Sequence, residues 1–475
     1  MHRIAIVVHL SLLGQDMLSP FENAQRLFRL GRYLEILREA SLSQRDLNTL
    51  KPEHRILIAH TLLQTGDVSR AVDQIDREIE LSPSASLRSK CEVIKGLAYR
   101  HQAQVTEALH HYQLSVQYAK QDRDHSQLIW ASVQRFRLLA ELYPSDQLAP
   151  MVTELRQLAI KAGDPQAVAY MHYAVALMEA SNGRIDEARR HVVLSQSLLH
   201  EFPNAWLEQL NYIAAFFLNF LDNSYREALA NLDRARALLT VTGSRERTLI
   251  DCNEAHALLV IGRLKAASTR FRSVIESDSG IARLGAMEGL ARVHLAEGRL
   301  SDCEATLDAH DHLLAQDKHL TDAFTGRWTA ATRVRLLLKK GRFADAAECV
   351  SGHLRRAVLS KDRLLSIELS CLHAEAQDSL GDKSKAARSL LLLDLGAKGQ
   401  SVAQLATYYY TRARVANSLD ATLSRTMFQR AQRIWKEEGN ECALSEFRHL
   451  KASDGSKGSG HRRESKALLA ASTLA

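Results

Sequence analysis

Small and apolar residues recur in this chain at fixed distances from one kind of turn. Gly-Arg-Ile-Asp-Glu-Ala at 183–188 returns as Gly-Arg-Phe-Ala-Asp-Ala at 341–346. Alignment on that phrase yields eight copies, beginning at Gly66, Ala103, Gly183, Asn223, Gly262, Gly298, Gly341 and Gly381. Five residues on, the slot is always small: Ala71, Ala108, Ala188, Ala228, Ala267, Cys303, Ala346 or Ala386. Four residues further stand Ile75, Tyr112, Val192, Leu232, Phe271, Leu307, Val350 and Leu390, all apolar or aromatic. The chain is 46% hydrophobic, so eight matches out of eight would arise by chance with a probability of about 0.002. Seven residues before each turn the chain is again mostly small, as at Ala59, Gly96, Ala176 and Ala255.

These distances predict helices. A small residue, a turn, then a small residue and an apolar one a helical turn later describe two helices packed closely about a tight joint. Gly and Asn enter the left-handed backbone region that ends a helix at little steric cost. Asp, Ser or Glu just after the joint favours the second helix through capping and the dipole. Adjacent joints lie about 40 residues apart, the period of a helical repeat array. The wider gap between Ala103 and Gly183 leaves room for a disguised copy around 139–160. Weaker copies at Gly31-Arg32-Tyr33 and around 416–435 begin and end the series. The pattern predicts an all-α chain of about ten to eleven helix-turn-helix units over residues 21–448. Residues 1–20 are left as a separate N-terminal segment, and 449–475 read as a flexible basic tail rich in Ser, Gly and Lys.

The small, turn, Ala, apolar spacing resembles the tetratricopeptide repeat over nearly all of the chain. Pro83, closing the second unit in Glu-Leu-Ser-Pro, matches that family's end-of-helix proline. The family's early aromatic and its other prolines are mostly missing, and several units exceed its roughly 34 residues. In this the chain is similar to divergent arrays in bacterial regulatory proteins. The resemblance implies a right-handed superhelix, an α-solenoid, whose first helices line a concave groove for a partner's extended segment or helix. Inward positions carried over from the family define two zones. One is apolar and aromatic, with Tyr170, Tyr173, Ile213, Phe217 and Phe220; the other is polar, with Glu288, Arg292, Trp328 and Arg335. A protein or peptide ligand with an acidic end would suit both. The function so implied is that of a non-catalytic regulatory scaffold, adaptor or sensor in the cytoplasm.

Composition agrees with this picture: only seven prolines and 22 glycines break 475 residues, as short connections between helices require. The six cysteines form no CxxC pair, which points to a reducing compartment. The apolar run at 4–13 resembles the core of an export signal, but His9 interrupts it and no A-x-A pattern follows, so export is not expected. A second apolar run, 212–221, has ten residues, too few to span a bilayer.

Charge changes the picture more. From Arg327 to Arg363 ten basic residues face three acids, an excess equal to the +7 of the whole chain. The basic set is Arg327, Arg333, Arg335, Lys339, Lys340, Arg342, Arg355, Arg356, Lys361 and Arg363. Such a hairpin could be a solvated helical face, or could meet an acidic partner or nucleic acid. The alternative function is therefore a regulatory partner in nucleic-acid transactions, or the sensor part of a transcriptional regulator. Catalytic patterns are absent. The glycines at 395–401 and 455–460 match neither a phosphate loop nor a dinucleotide fingerprint in context. Asp308, His310, Asp311 and His312 are a dense ligand-type cluster, but no second cluster completes a site. No catalytic residue, metal or cofactor is expected.

Overall fold

The computed structural model describes residues 19–41, 50–81, 84–143, 145–277, 280–317, 319–321, 324–391, 402–416, 421–437 and 439–445. The apolar run at 4–13, Pro83, the glycine stretches at 395–401 and 455–460, and the 449–475 tail lie outside the described residues.

Among the described residues all regular structure is helical. The first four hairpins are α1 (Pro20–Arg29) with α2 (Tyr33–Ser41), α3 (Pro52–Thr65) with α4 (Val68–Leu81), α5 (Ala85–His101) with α6 (Val105–Asp122), and α7 (His125–Leu142) with α8 (Ser145–Ala162). The fifth and sixth are α9 (Pro165–Ser181) with α10 (Ile185–Glu201) and α11 (Ala205–Leu221) with α12 (Tyr225–Ala237), followed by the single turn α13 (Leu239–Thr242). Then come α14 (Arg247–Val260) with α15 (Leu264–Ser277), α16 (Ile281–Ala296) with α17 (Leu300–Leu314), and α18 (Phe324–Lys339) with α19 (Phe343–Leu359). The last two are α20 (Arg363–Ser379) with α21 (Lys383–Leu391) and α22 (Val402–Ala416) with α23 (Ala421–Glu437). The disguised copy is the α7–α8 hairpin, and the two weak copies are α1–α2 and α22–α23.

All eight joint residues, and Gly31, have positive φ, between 57° at Ala103 and 98° at Gly66. The joints close with a backbone N–H reaching five residues back, as from Asp67 to Leu62 (2.9 Å) and from Arg342 to Leu337 (2.9 Å). That is the Schellman arrangement, which satisfies carbonyls the helix end would leave open. Capping after the joint is less general than the sequence suggested. Asp67 and Asp382 accept from the backbone of the following helix, whereas Arg184, Arg299 and Arg342 occupy the cap position without a side-chain bond. In those copies Asp186, Asp302 and Asp345 stand in the first turn, where they favour the dipole, and Asp302 and Asp345 also pair with the arginine at the cap (3.0 and 2.6 Å). Side-chain caps instead mark the starts of first helices, from Ser84, Asp124, Asp164, Asn204 and Asp362.

The small slots and the apolar slots are buried in all eight copies. Their complementarity is direct at Gly96, where a Cβ would come within 2.6 Å of the Tyr112 ring. Gly289 does the same for Phe271 across to the next hairpin.

The hairpins wind tightly enough for one turn of the superhelix to rest on the previous one. Each early joint meets the chain five hairpins on. Leu30 O accepts from Ala205 N (2.8 Å) at the start of α11, and Thr65 O accepts from Ser244 Oγ (2.7 Å) just before α14. Leu142 O accepts from Arg327 Nη1 (3.0 Å) in α18, while Gly183 abuts Leu364 at the start of α20. Apolar packing follows the same seam: Leu27, Tyr33 and Ile36 share one core with Phe136, Tyr170 and Leu207. Leu284, Leu314 and Leu320 join the core of Ile56, Leu97 and Tyr112.

Candidate functional site

Winding of this kind encloses space. A cavity of about 1290 Å³ runs through the superhelix, walled by the first helices α5, α7, α9, α11, α14, α16, α18, α20 and α22. Of the groove positions read from sequence, Tyr173, Ile213, Phe217, Phe220, Glu288, Arg292, Trp328 and Arg335 line it. Tyr170 does not. It is fully buried behind the wall, its ring between Trp130 (5.5 Å) and Tyr173 (5.9 Å). Its hydroxyl donates to Gln134 Oε1 (2.8 Å) and accepts from Arg137 Nη1 (3.3 Å), so it supports the wall instead of facing a ligand.

The aromatic zone is built by α9 and α11. Phe216 stacks on Phe220 (5.6 Å), and Phe217, half-buried, faces the cavity from the same helix. These rings meet a charged cluster at the N-terminal end of the cavity that the sequence reading did not identify. Arg100 of α5, Arg137 of α7 and Arg245 of the α13–α14 connection all line it, together with Glu141 and Glu246. Arg100 is paired with Glu141 (2.5 Å), and Arg245 lies 3.8 Å from Glu246. The Arg137 guanidinium stands over the Tyr173 ring (5.3 Å to the centroid), and that of Arg245 over Trp206 (6.0 Å). Arg245 also donates to His101 Nε2 (2.5 Å) and Gln64 Oε1 (2.6 Å), which ties the connection to the second and third hairpins. Burial, and then the charges of Arg245, Arg100 and Arg137, hold the His101 pKa well below the usual histidine range, so the ring is neutral. Burial works against the Glu246 carboxylate, but the three guanidiniums and a bond from Trp206 outweigh it and keep its pKa below the usual value.

One signal for this cluster was legible. Arg137 interrupts the apolar run Phe136 to Ala140 on a helix whose other residues at that level are buried. Arg245 carried no such mark, because it lies between repeats and its partners are about 140 to 180 residues away.

The polar zone at the C-terminal end is organised differently. Arg335 pairs with Glu368 on the next first helix, and Arg414 with Glu375. Glu288 accepts from Thr332 Oγ1 (2.6 Å). Arg292 lines the cavity without a hydrogen-bond or ion-pair partner among the described residues.

The basic hairpin does not present one continuous patch. Arg327 binds Asp362 (3.1 Å), Arg333 binds Asp308 (3.1 Å) and Asp311 (2.6 Å), Lys340 binds Glu304 (2.6 Å) and Arg342 binds Asp345 (2.6 Å). Glu304, Asp308 and Asp311 come from α17, outside the 327–363 stretch, whereas Asp345 and Asp362 are two of its three acids. Lys339 lines the cavity, whereas Arg355, Arg356 and Lys361 are exposed and Arg363 is half-buried. The dense acid and histidine cluster is likewise divided. Asp308 and Asp311 hold Arg333, and His310 turns inward beside Thr329 (3.4 Å). Among the described residues no three His, Cys, Asp or Glu side chains are gathered as a metal would need, and no helix is long and apolar enough to cross a membrane.

Left-handed joints, small-to-large packing and a cavity lined by first helices define an α-solenoid of helix-turn-helix repeats, similar in fold to tetratricopeptide arrays. No protein-family model matches the chain, and no curated protein matches its sequence. Among solved structures, the fold is similar to that of a Rap protein crystallised with competence and sporulation factor. The TM-score is 0.55 at 15% identity, over 74% of this chain and 98% of that one. The apo form of the quorum sensor NprR from B. thuringiensis aligns over 78% and 96% of the two chains, at 12% identity and a TM-score of 0.39. The Cut9–Hcn1 hetero-tetramer of the APC/C aligns over 89% and 88%, at 14% identity and a TM-score of 0.38. The likeness to the Rap protein is one of fold.

Proposed function

We propose that this protein is a non-catalytic, regulatory peptide sensor that takes an extended peptide into the cavity of its superhelix. The carrying observation is the cavity itself. At about 1290 Å³ it exceeds the roughly 300–1,000 Å³ of small-molecule clefts. Its wall sets an apolar and aromatic surface of Tyr173, Ile213, Phe217 and Phe220 beside arginines at both ends. Apolar side chains of a peptide would fill the first and an acidic group would meet the second. The likeness in fold to a Rap protein crystallised with a factor supports this reading. Because stacked turns close the wall, a peptide held inside contacts both turns at once. Binding would then favour one superhelical pitch over another, as a sensor requires. A cytoplasmic setting accords with six cysteines that are all free thiols.

The test is equilibrium dialysis of the full chain against an equimolar pool of random hexapeptides. Wild type retains a subset rich in apolar side chains, and Phe217→Asp lowers that retention about tenfold by setting a charge in the aromatic wall. Absence of retention by wild type, or equal retention by the variant, contradicts the proposal.

A further inference from the structure

The cluster at the N-terminal end of the cavity has an unbalanced charge. Among the described residues Arg100, Arg137 and Arg245 face two carboxylates, Glu141 and Glu246. Once Arg100 is matched with Glu141 and Arg245 with Glu246, Arg137 is left in excess, and its side chain is only 3% exposed. Its nearest carboxylate oxygen, on Glu141, is 3.8 Å away and already bonded to Arg100. Among the described residues Arg137 Nε and Arg100 Nε have no hydrogen-bond acceptor, and Glu141 Oε2 has no donor. A buried cation without a matching anion is unfavourable by several kcal/mol, and buried donors without acceptors add to that. A protein that keeps this arrangement is set up for an anion to arrive.

We propose that Arg100, Arg137 and Arg245 form a carboxylate subsite at this end of the cavity, with Glu141 accepting an N–H that lies beside the ligand carboxylate. Charge selects the anion. One unmatched cation is neutralised by one carboxylate, whereas a phosphate group carries about −1.5 to −2 and would overshoot. The planar fork of a guanidinium suits a carboxylate, and stacking on Tyr173 and Trp206 keeps two of the three forks fixed. The open acceptor on Glu141 adds a second requirement, a donor close to the anion. An amino-acid residue with a free carboxylate supplies both, whether the carboxylate is at the C-terminus or on an Asp or Glu side chain.

This inference rests on the peptide reading of the cavity, and the experiment separates the two. Three hexapeptide pools are dialysed against the full chain: free-acid peptides without Asp or Glu, the same peptides amidated at the C-terminus, and amidated peptides containing Asp or Glu. Wild type should retain at least one carboxylate-bearing pool about tenfold better than the neutral amidated pool. Whichever of the two carries the preference reports the source of the carboxylate. Arg137→Gln should abolish the preference, and Arg137→Lys, which keeps the charge but not the fork, should restore part of it. Equal retention of all three pools, unaffected by Arg137→Gln, overturns the subsite and leaves the peptide reading standing. If no pool is retained, sodium acetate and sodium phosphate are compared by thermal denaturation. Stabilisation by acetate more than by phosphate, lost in Arg137→Gln, supports the subsite and overturns the peptide reading; no acetate effect overturns both. Should Arg137→Gln fail to fold by circular dichroism, the comparison of wild type with Arg137→Lys decides: a fall in the preference of about threefold supports the subsite, and no change overturns it.

Discussion

Two groups of arginines line one cavity, and they are held in opposite ways. At the N-terminal end, guanidiniums from α5, α7 and a connection are driven into a buried cluster in which cations outnumber carboxylates. At the C-terminal end, Arg335 and Arg414 are each matched with one glutamate on a neighbouring first helix, and remain about a third exposed. The difference follows from how the solenoid is closed. The first hairpins have a second superhelical turn lying against them, which removes water from their ends. Among the described residues the last hairpins have none: at the joints Gly298, Gly341 and Gly381 a Cβ would meet nothing within 4 Å, whereas at Gly31, Gly66, Gly183 and Gly262 it would touch the next turn. One repeat motif therefore yields a dry, strongly electrostatic end and a wetter, self-neutralised end.

The largest predicted effect comes from removing a carboxylate at each end. Glu246→Gln leaves Arg245 buried among Arg100 and Arg137, and should lower stability by about 3 kcal/mol. Glu375→Gln, whose partner is partly solvated, should cost no more than about 1 kcal/mol. Urea denaturation of the two variants measures both, and similar losses would erase the distinction between the ends.

The stacked joints supply the next comparison. Gly243 has φ +97°, and a Cβ there would lie 2.8 Å from Thr65 Cα in the turn below. Gly243→Ala should cost about 2–3 kcal/mol, from left-handed strain plus displacement of backbone. Gly341→Ala, at φ +72° with nothing nearby, should cost only the strain of about 1 kcal/mol. A Gly341 variant as unstable as the Gly243 variant would mean that the turns do not rest on each other.

How much of this could be read beforehand depends on whether the determinants are local. Joints, small slots and apolar knobs recur within a hairpin, so Ala71, Ile75 and their counterparts marked the fold from spacing alone. The inward faces of α11, α16 and α18 were also legible, since they are counted from a joint in the same hairpin. Tyr170 was misplaced because it lies three residues from Tyr173 on the same helical face, and only the approach of Arg137 and Trp130 decides which of the two reaches the cavity. The basic hairpin looked unbalanced because Glu304, Asp308 and Asp311 lie before it in the chain yet beside it in space. Arg245 was invisible for the same reason, its partners being brought to it by the superhelix.

A smaller effect per residue, of one sign at both ends, is expected from acid. Burial, and then the charge of Arg245, push His60 down to about 3. Burial, then His191 and Arg156, lower His172 to about 4, and burial, then Arg292, opposed by Glu288, lower His256 to about 4. In the unfolded chain each takes up a proton near pH 6.5, while in the folded chain it does not until the pH is far lower. Stability is therefore complete above about pH 6.5 and falls as the pH drops toward 4, by about 1.4 kcal/mol per unit for each histidine. Urea midpoints at pH 7.5 and 5.5 test the sign, and His60→Gln should remove about one histidine's share of the drop. A midpoint that rises on acidification would contradict the burial of these rings.

The most direct test of the central claim, that the closed superhelix holds a peptide inside, is hydrogen–deuterium exchange on the full chain with and without a hexapeptide retained from the pools. A peptide held inside slows exchange in first helices from both superhelical turns together, α7, α9 and α11 along with α16 and α18, with little change in the outer helices α10, α15 and α19. Protection confined to outer helices, or to a single turn, would contradict that claim.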